Sequence, residues 1–397
     1  MNALVARDAV SLRATPRMRV LLALTEVLGH GGIQRFNKTL LAALSDLGCD
    51  ATVLSLNDVA GESRPLSEAP SALIHGFGHS KLNFSAALAA QLAGRTHDAL
   101  IVGHVHFSRL VVAASRLPGR RLPRRVLLIA HGLEIWHILR GGTRRAVGAV
   151  SDIVSVSSYT QAKILEQAPE LSSKKLHIFP NALASTWVEW ASRARQEAMT
   201  PMLEQPYILA VTRLGATERA KGIVTLLEAY SMISTSGVHL AVAGGGDDLG
   251  FLKAIAERLG VAARVHFVGT TTDAQLMSLY RGCSLFVLPS GQEGFGIVFL
   301  EAMYFQAPVI AAREKGAVDV VTDGKSGLLV DFGDVVALRL ALDRALSDEA
   351  LRQRLRQGGN ELVSGEGSFT FAAFRKRAAV LLGLSPPVAS ASAALQS

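Results

Sequence analysis

Apolar residues in this chain come in short unbroken runs, and most runs are followed by a longer segment of helical period. In the first half, runs at 19–24, 51–56, 72–76, 99–103, 126–130, 153–156 and 176–179 predict strands. Helices are predicted among them at 33–47, 82–93, 108–116 and 160–167. A continuous apolar run, rather than strict alternation, marks a strand buried on both faces. A strand–helix–strand series of this kind implies a parallel sheet with right-handed crossovers. The pattern weakens over 180–206, where polar, charged and Trp residues mix, and restarts at Tyr207. Strands are then predicted at 207–212, 239–243, 265–268, 284–288, 308–312 and 327–330, with helices at 223–233, 250–259, 272–281, 297–305 and 335–347. The expectation is an α/β protein of two doubly wound domains, 18–190 and 207–383, facing across a cleft and joined by a linker at 191–206. Residues 1–17 read as an extension, and 384–397, rich in Ser, Ala and Pro, as a disordered tail.

Length supports two cores, since 397 residues exceed what one ordinary core holds. Charge divides the halves. Residues 1–200 carry 23 basic and 14 acidic side chains, a net of +9, whereas 201–397 carry 18 and 19, a net of −1. Arg116, Arg120, Arg121, Arg124 and Arg125 cluster in the first half. They form either a patch for anionic headgroups or a pyrophosphate-linked substrate, or an ordinary solvated loop. No nucleic-acid-binding module or aromatic-interleaved basic stripe is present, which disfavours nucleic acid. Cys49 and Cys283 are the only cysteines and lie far apart, so no disulfide framework or metal spacing arises and a reducing compartment is expected. No run approaches the ~18 apolar residues of a membrane span. The run 20–24 leads into glycines, not a cleavage site, so the expected location is cytoplasmic, either free or held peripherally at the inner face of the plasma membrane.

The richest chemistry lies at 290–301, the string SGQEGFGIVFLE. Glu293 falls in the loop after a buried strand, and Glu301 in the helix that follows. Open α/β sheets bind ligands outside the carboxyl ends of their strands. Two carboxylates there, with Gly294 and Gly296 allowing close backbone approach, suit a ligand rich in hydroxyls, because a carboxylate only accepts hydrogen bonds. The string resembles the E-x7-E motif of retaining glycosyltransferases of family 4, which have the GT-B fold of two Rossmann-like domains. The resemblance spans about residues 18–380 and is strongest over 207–330.

Other groups join this site. Arg213 ends a strand and Lys221 precedes a helix, and two cations beside a helix N-terminus make a phosphate site. Gly244 ends another strand, where a glycine permits a tight turn near a nucleotide. In the first half, Gly31, Gly32 and Arg35 follow the first strand and open a long helix. This is not a G-x-G-x-x-G fingerprint, and the second strand ends without an acidic residue, which argues against a dehydrogenase. His131 ends a strand and either meets a sugar hydroxyl or packs. Trp136 forms either an acceptor wall or a buried aromatic. His104 and His106 follow a strand without a third ligand, so they are acceptor-pocket candidates and not a metal site.

The resemblance implies roles. Arg213 and Lys221 would neutralise the departing diphosphate, and Glu301 would grip the ribose. Glu293 and the loop of Gly294, Phe295, Gly296 and Ile297 would hold the donor sugar, with His131 reaching it from across the cleft. Gly31 and Gly32 would approach the donor phosphate, and Arg35 an acceptor pyrophosphate. Asn181 would mark the end of the first domain. The chain departs from the family in having Ala182 after that Asn and Ala307 where a Gly usually ends the helix. No metal and no other cofactor is expected. Either the leaving phosphate oxygen takes the acceptor proton on the same face, or Glu293 is a covalent nucleophile. The implied activity is retaining transfer of a sugar from a nucleotide sugar, GDP-mannose or a UDP-sugar, to a hydroxyl of a glycan or lipid-linked glycan in bacterial surface polysaccharide synthesis. The spacing from Arg213 to Lys221 resembles that of exopolysaccharide mannosyltransferases. A sugar-nucleotide epimerase of the same fold and a non-catalytic sugar-nucleotide-binding subunit are the rivals.

Overall fold

The computed structural model describes residues 17–384 except 30, 62, 94–96, 120–121, 137–138 and 198–201. Residues 1–16 of the extension, 385–397 of the tail, and Arg120 and Arg121 of the arginine cluster lie outside the described residues. The first sheet comprises β1 (Arg19–Leu24), β2 (Asp50–Ser55), β3 (Ser63–Leu66), β4 (Ala69–Gly76), β5 (Ala99–Val102), β6 (Arg125–Ala130), β7 (Asp152–Ser155) and β8 (Lys175–Ile178). Their spatial order is β3-β4-β2-β1-β5-β6-β7-β8. All pairs are parallel except β3–β4. The second sheet comprises β9 (Tyr207–Val211), β10 (His239–Ala243), β11 (Val265–Gly269), β12 (Leu285–Leu288), β13 (Val309–Ala312) and β14 (Leu328–Val330). Its order is β11-β10-β9-β12-β13-β14, and every pair of strands is parallel. The central strands are apolar because both faces are covered: Val20 to Leu24 and Leu285 to Val287 have no exposed surface.

Helices of the first half are α1 (Gly32–Asp46), α2 (Lys81–Ala93), α3 (Val105–Ser115), α4 (Gly141–Gly148), α5 (Ser158–Gln167) and α6 (Ser185–Gln196). Those of the second are α7 (Ile223–Ser231), α8 (Leu249–Arg258), α9 (Asp273–Gly282), α10 (Ile297–Tyr304), α11 (Val335–Ser347), α12 (Glu349–Val363) and α13 (Phe371–Leu382). The periodicity missed β3, α4, α6, α12 and α13. In α4 and α6 only two residues each are buried, so their apolar faces are narrow. Two helices pack across the two halves of the chain. Helix α6 spans the expected boundary and packs on α9 of the second domain. Helix α13 crosses back to α1, where Phe374 meets Phe36 and Phe179 with ring centroids 5.7 and 4.5 Å away. The crossing ties the domains together by an aromatic cluster.

Each sheet changes direction of winding once, at β1/β5 and at β9/β12. Chain segments leaving those neighbouring strands diverge and open a crevice. Arg35 and His104 follow the first pair, and Arg213 and Glu293 the second.

Candidate active site

The second domain supplies two carboxylates and two cations. After β9 the chain carries Arg213, then a 3-10 turn (Ala216–Lys221) that delivers Lys221. After β12 it carries Glu293. Lys221 Nζ donates to Glu293 Oε1 at 2.6 Å and lies 3.3 Å from the Gln292 carbonyl oxygen. Both side chains are largely buried, so the pair is well shielded from solvent screening. Arg213 is mostly exposed and pairs with Glu218 of its own loop. Glycine fits these loops for steric reasons. Gly222 has φ 78°, and a Cβ there would lie 2.2 Å from the Pro289 carbonyl oxygen. A Cβ on Gly244 would lie 1.8 Å from the Thr212 carbonyl oxygen.

Glu301 lies within α10, 1 % exposed. Tyr280 of α9 donates its hydroxyl to Glu301 Oε2 at 2.9 Å, and Arg35 of α1 pairs with Oε1. Arg35 also reaches Asp273 at 3.4 Å. Arg35 thus sits on two carboxylates of the second domain. Beside them a cavity of about 160 Å³ is bounded by Arg35, Lys38, Asp273, Glu301, Trp187 and Trp190.

The first domain contributes His131 at the end of β6. Its Nε2 is buried without a partner among the described residues, while its ring bonds the Gly103 backbone. Burial, then the nearby His104, push its pKa down to about 3, and the Gly103 bond only partly opposes this. The ring is therefore neutral near pH 7. Donation to the Gly103 carbonyl leaves Nε2 as an acceptor, the role a sugar hydroxyl requires. Glu134 positions this loop, accepting the His131 N–H at 2.5 Å and the Gly132 N–H at 3.1 Å. Burial raises its carboxyl pKa, and those backbone donors restrain the rise. His104 caps α3, accepting the His106 N–H at Nδ1 3.3 Å away, and the two rings stack with centroids 4.9 Å apart. Burial, then His106, lower His104 to about 4. Trp136 is not an open acceptor wall. It is 3 % exposed, its indole N–H donates to Thr160 Oγ1 at 3.2 Å, and it supports Gly132 from beneath. Gly31 has φ 142° at the N-cap of α1, and Gly32 faces open space. Arg125 of the arginine cluster pairs with Asp152 at 3.5 Å.

The two domains touch at this site, backbone to backbone. A Cβ on Gly294 would lie 2.3 Å from the His131 carbonyl oxygen, and one on Gly132 would lie 3.0 Å from Gly294 Cα. Gly316 fits equally tightly behind the same loop, where a Cβ would lie 2.2 Å from the Gly294 carbonyl oxygen. His131 is thus brought against the loop of Gly294, Phe295, Gly296 and Ile297.

Residues 30–185 match the profile described as Glycosyltransferase Family 4, and residues 195–362 that of Glycosyl transferases group 1. A GDP-mannose-dependent alpha-(1-6)-phosphatidylinositol monomannoside mannosyltransferase of Mycobacterium tuberculosis is 30% identical over 65% of this chain and 69% of its own length. The chain belongs to glycosyltransferase family 4. The lipopolysaccharide core biosynthesis glycosyltransferase LpsE of Rhizobium meliloti is 32% identical over 52% of this family 4 chain, a match that spans only 58% of LpsE. The structure of HepE from Anabaena in complex with UDP-glucose superposes on it with a TM-score of 0.72, at 18% identity, covering 92% of this chain and all of that one. The architecture is the GT-B fold expected of family 4.

Several residues that shape the site carry no sequence signal for it: Tyr280, Asp273, Gly132, Glu218 and Gly316. Asp273 lies inside a capping box of Thr272 and Gln275, a local signal for the start of α9 alone. Tyr280 reads in sequence only as an apolar position of a helix.

Proposed function

We propose that this protein transfers a sugar, with retention at the anomeric carbon, from a nucleotide sugar to a hydroxyl of a glycan or lipid-linked glycan in surface polysaccharide synthesis. The observation that carries it is the buried Lys221–Glu293 pair beside Arg213, on the strand-end loops flanking the β9/β12 switch point. Lys221 and Arg213 would meet the diphosphate, releasing Glu293 to accept a donor-sugar hydroxyl and Arg213 from Glu218. Positive charge placed where the leaving group gains negative charge is the largest electrostatic contribution such a site can make. The amides of the Gly294–Ile297 loop would add donors at the N-terminus of α10. Ribose hydroxyls would replace Arg35 on Glu301. His131 Nε2 would accept a sugar hydroxyl from across the cleft. The proton of the acceptor hydroxyl would pass to the leaving phosphate oxygen on the same face as that oxygen departs. The UDP-glucose bound by HepE and the GDP-mannose dependence of the mycobacterial relative support a nucleotide-sugar donor, a GDP- or UDP-sugar. The relative's phosphatidylinositol mannoside and LpsE's lipopolysaccharide support a lipid-linked acceptor.

Melting temperature measured against GDP-, UDP-, ADP- and TDP-sugars, with and without EDTA, tests the donor site. A rise with one sugar nucleotide, unchanged by EDTA, is the expected result. No shift with any of them, in folded protein, refutes the donor assignment. With that donor and an acceptor in hand, proton NMR of the new linkage tests retention.

A further inference from the structure

The two cations of the phosphate side stand eight positions apart, on a loop long enough to place them badly. Its first half is tied by backbone groups. Leu214 N–H donates to the Gly245 carbonyl and Asp248 N–H to the Leu214 carbonyl, both at 2.9 Å. Ala216 N–H donates to the Asp247 carboxylate at 2.8 Å. A Cβ on Gly246 would lie 2.1 Å from the Leu214 carbonyl, so the loops are in direct contact.

The second half, which carries Lys221, is held by a side chain. Arg219 donates from Nε and from an NH2 to the two oxygens of Asp248, at 2.9 and 2.7 Å. This is a two-pronged geometry that fixes direction as well as distance. The Arg219 guanidinium lies 4.0 Å from the centre of the Phe251 ring. Asp248 is 5 % exposed, and although it stands at the N-cap of α8 it caps no backbone N–H there. Its carboxylate is directed at Arg219 instead. One residue further on, the Ala220 carbonyl accepts the Gly291 N–H at 2.8 Å, which joins this loop to the one bearing Glu293. Arg219 is thus a cation two residues from Lys221 whose Nε edge, two of its five donors, is committed to Asp248.

We propose that Arg219 is a positioning residue: its fork on Asp248 sets where Lys221 stands beside Glu293, and Arg219 itself touches no substrate. The proposal rests on the diphosphate role of Lys221 given above. Two other accounts are distinguishable from it, namely that Arg219 binds phosphate directly and that it only stabilises the fold.

The test is a double-mutant cycle read by calorimetric affinity for GDP and UDP, with the melting temperature of each variant measured alongside. Arg219→Ala and Asp248→Asn are each expected to weaken the tighter diphosphate about tenfold. Arg219→Ala/Lys221→Ala is expected to bind no more weakly than Lys221→Ala alone, because Arg219 acts through Lys221. Additive losses in the double variant overturn the proposal. So does Asp248→Asn at wild-type affinity when Arg219→Ala is weakened, since Arg219 then contacts the ligand itself. Should Arg219→Ala fail to fold, the isosteric Asp248→Asn crossed with Lys221→Ala completes the same cycle. Wild-type affinity in Lys221→Ala overturns the diphosphate role and the proposal with it, a pattern distinct from additivity.

Discussion

Gly294→Ala tests whether the backbone contact between the domains is part of the working site. A Cβ there would lie 2.3 Å from the His131 carbonyl oxygen, about 1 Å inside ordinary van der Waals contact. The carbonyl belongs to the loop that Glu134 fixes, so it cannot simply rotate away. No positive φ is required at Gly294, so alanine is compatible with the local backbone and the substitution reports the approach of the domains. Overpacking of this size costs about 1–3 kcal/mol. The strain exists only when the domains are closed, so the closed population should fall about 5- to 150-fold. Turnover should fall by a similar factor if closure assembles the site. The assay is kcat for sugar transfer, alongside GDP or UDP affinity and domain separation by small-angle scattering. Expected are a low kcat, a more open particle and a smaller loss of nucleotide affinity. A folded Gly294→Ala variant with wild-type kcat refutes the claim that this contact is made during catalysis.

Lys221→Ala should lower turnover by about 10²–10³, with single-turnover kinetics as the check, because it removes charge opposite the leaving group. Glu301→Ala should weaken nucleotide binding by roughly ten- to a hundredfold, as loss of hydrogen bonds to a buried charge does, and Tyr280→Phe by less; unchanged calorimetric affinity in Glu301→Ala would sink its ribose role. His131 should make the protein acid-sensitive. Its pKa is about 3 in the folded protein against 6.5 for a histidine free in solution, so the unfolded chain binds the extra proton first. The stability it contributes is complete above about pH 6.5 and is lost as pH falls toward 3, at up to about 1.4 kcal/mol per pH unit. His131→Gln should flatten the fall of melting temperature between pH 6 and 4; an unchanged slope would refute this assignment.

The core strands were legible in sequence because a strand buried on both faces must be apolar along its length. Runs such as 20–24 and 285–288 admit few other readings. Helices with a single narrow buried stripe, α4 and α6, left no such mark. Glu293 and Lys221 could be singled out because one follows a recognisable strand and the other precedes a helix, and Glu301 because it falls in the helix after the Glu293 loop. The partners of these residues could not. Lys221 and Glu293 are 72 positions apart, and they meet because β9 and β12 are neighbours, an order that local periodicity does not encode. Arg35 reads in sequence as a cation of the first domain near an acceptor. Tertiary structure seats it on Glu301, because folding brings the first turn of α1 to the buried carboxylate of α10. His131 was identifiable as a strand-end histidine, but its neutrality comes from burial and from the bond to Gly103. Local sequence therefore determined which residues are chemically able to act. Packing decided which of them meet and what charge they carry, because both depend on distances between segments remote in the chain.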